Sequence, residues 1–143
     1  SYLPWILWGI NGTQKKSNIK MGRNKKGENF LGSSAMKTNR NLKKLTKYLR
    51  SLDQHMTMFQ LEAFLLVAES PGITMREVEQ QMGVQNATTS RNIAYWCKWR
   101  KYQVPGMDFL EIYPDPRDRR YKIVELTPKG EAFLSKVNEV MGD

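Results

Sequence analysis

The sequence predicts an α+β domain that is mostly helical with one small β-hairpin, and three observations predict it. Apolar residues recur at helical spacing behind two capping signals, Thr57 with Gln60 and Thr74 with Glu77. Two of the resulting helices are separated only by a short turn containing Gly83. One pair of alternating segments, Phe109 to Tyr113 and Tyr121 to Leu126, flanks a connector built on Pro114 and Pro116.

The chain has 143 residues, enough for one domain with a modest core. Its 40% apolar content is slightly below the globular norm, so part of the chain is expected to stay unpacked. A single cysteine, Cys97, excludes an internal disulfide framework and fits a reducing, cytoplasmic compartment. No apolar run approaches the roughly 20 residues that span a bilayer, so no membrane partner is expected. The net charge is +9, but residues 1–55 carry 12 basic and 2 acidic side chains whereas residues 56–143 carry 11 and 12. A nucleic-acid reading of the second segment must therefore rest on local basic patches, of which Arg91–Lys101 and Arg117–Lys122 are two.

In chain order, residues 1–35 read as an arm, with an aromatic stretch Tyr2–Ile10 followed by Lys, Asn, Gly and Ser without periodicity. It is expected to be flexible or docked on a partner, with a loosely docked leader as the plainer alternative. Residues 36–143 form the domain proper. Its first helix is expected over Lys37–Asp53, where Leu42, Leu45, Leu49 and Leu52 draw one narrow stripe. Such a stripe suits a dimer seam, or packing against its own domain. His55 has no metal-ligand companion in sequence and reads as structural or exposed.

The Thr57–Gln60 capping box, stapled by Met56 and Leu61, opens a helix expected to bury Leu61, Phe64, Leu65 and Ala68. Ser70-Pro71-Gly72 stops it. Ile73 before Thr74, with Val78 at the staple position, opens a shorter helix over Met75–Met82 that Gly83 should close as a left-handed residue. A third helix is expected over Asn86–Arg100, with Thr89, Ile93 and Trp96 turned inward. Asn86, Thr88, Ser90, Arg91 and Tyr95 are expected outward or towards the flank. Small hydroxyl and amide side chains weaken a helix, but they let it sit deep in a major groove and bond base edges or phosphates. Trp96, Trp99 and Tyr102 are expected to cap the core, and Cys97 to be a small buried hydrophobe, with a thiol sensor as the alternative.

The hairpin tip carries Arg117, Arg119 and Arg120 within four positions. Three guanidinium groups on one tight turn repel each other, so an anionic partner is expected. Asp118 and Arg120 can pair with each other or with the recognition helix and so orient the tip. Thr127 at an N-cap with Pro128 at the first helical position opens the last helix, whose apolar side is Phe133, Leu134, Val137, Val140 and Met141. The order helix, helix-turn-helix, hairpin, helix is that of a winged helix-turn-helix, with the hairpin as wing.

The wing segment resembles that of the multiple-antibiotic-resistance regulator (MarR) family, whose pattern Asp-x-Arg followed by Leu-Thr-x-x-Gly is met by Asp118, Arg120, Leu126, Thr127 and Gly130. Gly72 to Ile93 also looks like that family's helix-turn-helix, with Arg91 at its end, and the resemblance covers roughly residues 55–138. It implies a homodimer on a near-palindromic operator, each recognition helix in a major groove and each wing in the adjacent minor groove. Two features depart from the family. The Lys98–Asp108 loop is several residues longer than usual, and the last helix is short, so Leu42–Leu52 would carry more of the dimer.

The leading expectation is therefore a homodimeric, sequence-specific double-stranded DNA-binding transcription regulator, most simply a repressor associated with the nucleoid. The alternatives are a winged-helix protein-interaction adaptor and a replication or partition protein. One His, one Cys, no glycine-rich phosphate loop and no metal-ligand spacing argue against an enzyme, and neither a cofactor nor a metal is expected. Nothing in the sequence marks a pocket for an effector.

Overall fold

A computed structural model describes Gly22–Arg23, Asn29–Phe30 and residues 32–142. Most of the expected arm lies outside these residues. Within it, strand β1 (Gly22–Arg23) pairs antiparallel with β2 (Asn29–Phe30), a short bridge that the aperiodic sequence gave no sign of. Helix α1 runs Ser33–Leu52, starting four residues before the expected Lys37. There follow α2 (Met58–Glu69), β3 (Ile73–Thr74), α3 (Met75–Met82) and α4 (Asn86–Trp96). The chain continues through β4 (Trp99–Lys101), β5 (Val104–Pro105), β6 (Leu110–Asp115), β7 (Asp118–Leu126) and α5 (Pro128–Gly142). Among the described residues, five helices and a small antiparallel sheet make a mostly α, α+β winged helix-turn-helix, the predicted fold class.

Both capping boxes form. Thr57 accepts from the Gln60 amide at 3.1 Å and Gln60 Oε1 accepts from the Thr57 amide at 2.9 Å. Thr74 and Glu77 repeat the exchange at the start of α3, and Gly83 closes that helix in the left-handed conformation at φ 67°. Each box satisfies amides that the first turn leaves without helical partners.

The core is an aromatic cluster between α2, α4 and α5. The Phe64 ring centroid lies 5.1 Å from Trp96 and 5.0 Å from Phe133, and Phe109 stacks on Phe133 at 4.7 Å. Trp96 is fully buried, and its indole N–H donates to the Gln60 carbonyl at 2.6 Å. That bond turns α2 about one residue from its expected facing. Gln60, Ala63, Phe64 and Val67 are buried, Leu61 and Ala68 are only partly so, and Leu65 is exposed. Ala63, fully buried, lies at the centre of the observed stripe.

Helix α4 ends at Trp96, not at the expected Arg100. Its last carbonyls are taken by the returning chain: the Met107 amide donates to Tyr95, Asp108 to Cys97 and Phe109 to Trp96, the last at 2.7 Å. Gly106 makes this return possible, because a Cβ there would stand 2.1 Å from the Cys97 carbonyl oxygen. Trp99–Lys101 and Val104–Pro105 then pair as an extra hairpin, so the long loop is a built projection. Only Trp96 of the three expected core aromatics is buried; Trp99 is 57% and Tyr102 88% exposed.

The main sheet runs β3-β7-β6, all antiparallel. Ile73 pairs with Val124 and Thr74 with Ile123, so the two residues before α3 form a third strand that ties the helix-turn-helix to the wing. Two residues are too few to show alternation in sequence. At the sheet's other end Thr127 caps α5, accepting from the Gly130 amide and donating to the Asp108 carbonyl. A Cβ on Gly130 would lie 2.0 Å from the Phe109 oxygen, which accounts for the glycine three residues after that threonine. On α5, Phe133 and Val137 are buried, Leu134 and Val140 partly so, and Met141 is exposed.

Helix α1 packs along α5, and Asn41 Nδ2 donates to the Met141 carbonyl across that seam. Leu49 is buried in the core and Leu45 packs against it, whereas Leu42 (51% exposed) and Leu52 face outward. The leucine stripe thus does not stand free as one face: half of it is spent inside its own domain. No helix among the described residues is long and apolar enough to cross a membrane.

Candidate nucleic-acid interface

The first turns of α4 and the wing meet across a groove of about 710 Å³. One wall is the end of β3 with α3 and α4, through Thr74, Met75, Arg76, Glu79, Asn86, Ser90 and Ala94; the other is the wing, through Ile112, Arg120, Tyr121 and Lys122. Residues 86, 90 and 94 are spaced by one helical turn, so a single polar-to-small stripe of α4 faces the wing. Ala94 closes the stripe with a methyl group, leaving room for a ligand edge along the helix.

On α4 the exposed side chains make only loose local bonds. Ser90 Oγ donates to Asn86 Oδ1 at 3.3 Å, and an Arg91 amino group donates to Thr88 Oγ1 at 3.4 Å. The Gln85 cap offers no side-chain bond to the first amides of the helix. These groups can exchange local partners for a ligand's at little cost. Asn86, Ser90 and Arg91 are exposed as expected, and Thr88 is half-buried.

Tyr95 is a correction. It was expected outward with the reading set, but it is 3% exposed and its hydroxyl donates to Asp53 Oδ2 at the C-terminal end of α1. Burial, then the Asp53 bond, drive its pKa well above the ordinary tyrosine value, and the same hydroxyl is the main force holding Asp53 below the usual carboxylate range. The Arg100 guanidinium lies 4.8 Å over the Tyr95 ring. Tyr95 falls three residues after the buried Asn92 and six after Thr89, on the inward side of the helix. That phase was available in the sequence.

The wing tip is organised by two aspartates in turn-forming positions. Asp115 Oδ1 accepts from the Arg117 amide at 2.9 Å and sits 3.5 Å from its guanidinium. Asp118 accepts from the Arg120 amide at 3.1 Å and pairs with its guanidinium at 2.7 Å. Such side-chain-to-backbone bonds set the turn locally. Arg120 beside it holds the Asp118 carboxyl below the usual carboxylate range, and Asp118 in turn raises Arg120. The expected pairing of Asp118 with Arg120 is therefore present. Arg119 is exposed and has no carboxylate partner among the described residues. Of the predicted site residues, the groove gathers Asn86, Ser90 and Arg120; Thr88, Arg91, Arg117 and Arg119 lie outside its lining. Sequence reasoning missed Arg76, Tyr121 and Ile112 on its walls. Lys122 stood at the end of a basic patch that could have nominated it.

Cys97 is half-buried, its Sγ bonds to the Ile93 carbonyl, and burial pushes its thiol up to about 11. At neutral pH it is an un-ionised, weakly reactive group, in keeping with the small-hydrophobe expectation.

No known family's sequence pattern matches this chain, and no curated protein matches it in sequence. Solved structures do. A transcriptional regulator of Thermotoga maritima superposes with a TM-score of 0.57 at 23% identity, covering 76% of this chain and 67% of its own. A cysteine-to-serine mutant of MarR from E. coli, solved with operator DNA, gives 0.55 at 22% identity, covering 76% of this chain and 70% of its own. The same mutant without DNA gives 0.55 at 20% identity over 81% of this chain and 80% of its own. The chain therefore folds as the MarR-type winged helix-turn-helix regulators do.

Proposed function

We propose that the protein is a sequence-specific double-stranded DNA-binding transcription regulator, acting in the cytoplasm at the nucleoid. The observation that carries this reading is the shared groove: the slender polar stripe of α4 and the cationic flank of the wing face one concavity. In this reading Asn86, Ser90 and Thr88 meet base edges and phosphates of a major groove, with Arg91 at a guanine or phosphate. Arg117 and Arg119 reach the neighbouring minor groove, where narrow A·T-rich DNA concentrates negative potential. Arg120, held by Asp118, stiffens the wing. The protein acts as a homodimer on a near-palindromic site and as a repressor, by covering a promoter; the exposed Leu42 and Leu52 of α1 contribute to the seam. That MarR from E. coli has been solved with operator DNA supports the partner class.

Selecting bound fragments from random duplex DNA tests the partner, the stoichiometry and the half-site spacing together. An enriched near-palindrome whose half-sites lie about one helical turn apart supports the dimeric reading. Ser90→Ala should then change the preferred bases more than the affinity for random DNA. Absence of any enriched sequence overturns the specific-regulator reading.

A further inference from the structure

We propose that the β4–β5 hairpin is a docking site for an acidic polypeptide segment carrying apolar anchors, separate from the DNA groove. None of the groove's lining residues belongs to this hairpin, so both surfaces can be occupied together. From Lys98 to Tyr102 every residue is exposed: three cations (Lys98, Arg100, Lys101) are interspersed with two aromatics (Trp99, Tyr102), and no acidic residue interrupts them. Two large rings held in water are a standing cost, and Trp, Tyr and Arg are the residues that dominate protein-interface energetics.

The projection is rigid. The Gly106 amide donates to the Lys98 carbonyl at 3.0 Å, the bonds from residues 107–109 tie its base to the end of α4, and Arg100 lies over Tyr95. A preorganised surface loses little entropy when it is covered. The bonds Tyr95–Asp53 and Trp96–Gln60 set this base beside the α1–α2 junction, where Met58 (85% exposed) and Phe59 add aliphatic and aromatic surface. Exposed methionine and phenylalanine at that junction favour a protein partner over a nucleic acid, which would use the cations and rings of the hairpin but not the thioether. Three cations with no acidic residue among them select an anionic partner.

The test is panning a random 16-residue peptide library on the full-length chain, then measuring fluorescence anisotropy of the enriched peptides. Recovered peptides should combine Asp or Glu with Phe, Leu or Trp. Their affinity should fall at least tenfold with Trp99→Ala/Tyr102→Ala and several-fold with Lys98→Ala/Lys101→Ala, but be unchanged by Arg119→Ala. All four positions are exposed, and circular dichroism melts verify that the variants fold. Peptides without an acidic–apolar pattern, or equal binding by the hairpin variants, overturn the proposal. So does a result in which the hairpin variants lose affinity for single-stranded oligo(dT) while peptide binding is unchanged. Operator binding by the same variants reports independently on the DNA reading.

Discussion

Arg119→Ala is the sharpest test of the wing, because the tip's charge is nearly cancelled by design. Asp115 faces Arg117 and Asp118 faces Arg120, at 3.5 and 2.7 Å, so Arg119 is the net charge of the turn. If that guanidinium displaces a counterion from one phosphate, its loss flattens the log affinity against log salt plot by about 0.9 per wing. A dimer with both wings engaged loses about 1.8, so between about 50 and 200 mM salt the gap between wild type and variant should close by roughly 12-fold. Asp118→Asn moves the other way. It keeps an acceptor for the Arg120 amide but releases the Arg120 guanidinium, so the slope should steepen. Fluorescence anisotropy on a selected duplex across a salt series measures both. Parallel lines for wild type and Arg119→Ala would refute the placement of the wing on DNA, and an unchanged slope for Asp118→Asn would show that the ion pair does not hold Arg120 back.

Three further outcomes follow from the interior. Tyr95→Phe should cost about 1.5–3 kcal/mol at neutral pH, the range for a hydrogen bond to a charged group, read by urea denaturation. Asp53 has a folded pKa below its unfolded value, so this stabilisation is present above the unfolded carboxylate range and is lost as pH falls through the folded one; the Tyr–Phe difference should shrink on acidification. Gly106→Ala should cost about 1–3 kcal/mol by driving a methyl into the Cys97 carbonyl, and it should raise the proteolytic sensitivity of the β4–β5 hairpin. Cys97 should react with iodoacetamide far more slowly than an exposed thiol near pH 8, the rate climbing towards the pKa of about 11. Rapid labelling of the folded protein would reopen the thiol-sensor alternative.

Much of this molecule was decided locally and could be read from the sequence. Thr57 with Gln60, Thr74 with Glu77, Gly83, and Thr127 with Pro128 mark helix ends because each satisfies or replaces backbone partners within a few residues. The α+β class, the helix-turn-helix and the hairpin follow from these ends and from two periodicities. The Asp118–Arg120 pair was legible for the same reason, being two residues apart. Tertiary structure decided what depends on distant partners. Trp96 reaching the Gln60 carbonyl turned α2 so that Leu65 faces water, and the return of residues 106–109 onto the last carbonyls of α4 ended that helix four residues early. The group that takes the buried Tyr95 hydroxyl, Asp53, lies 42 residues away in the chain. The groove itself depends on Ile73 pairing with Val124, a contact between two short segments that no local pattern announces. Capping and turns are short-range chemistry; facing, burial and the meeting of α4 with the wing are settled only when the whole core closes.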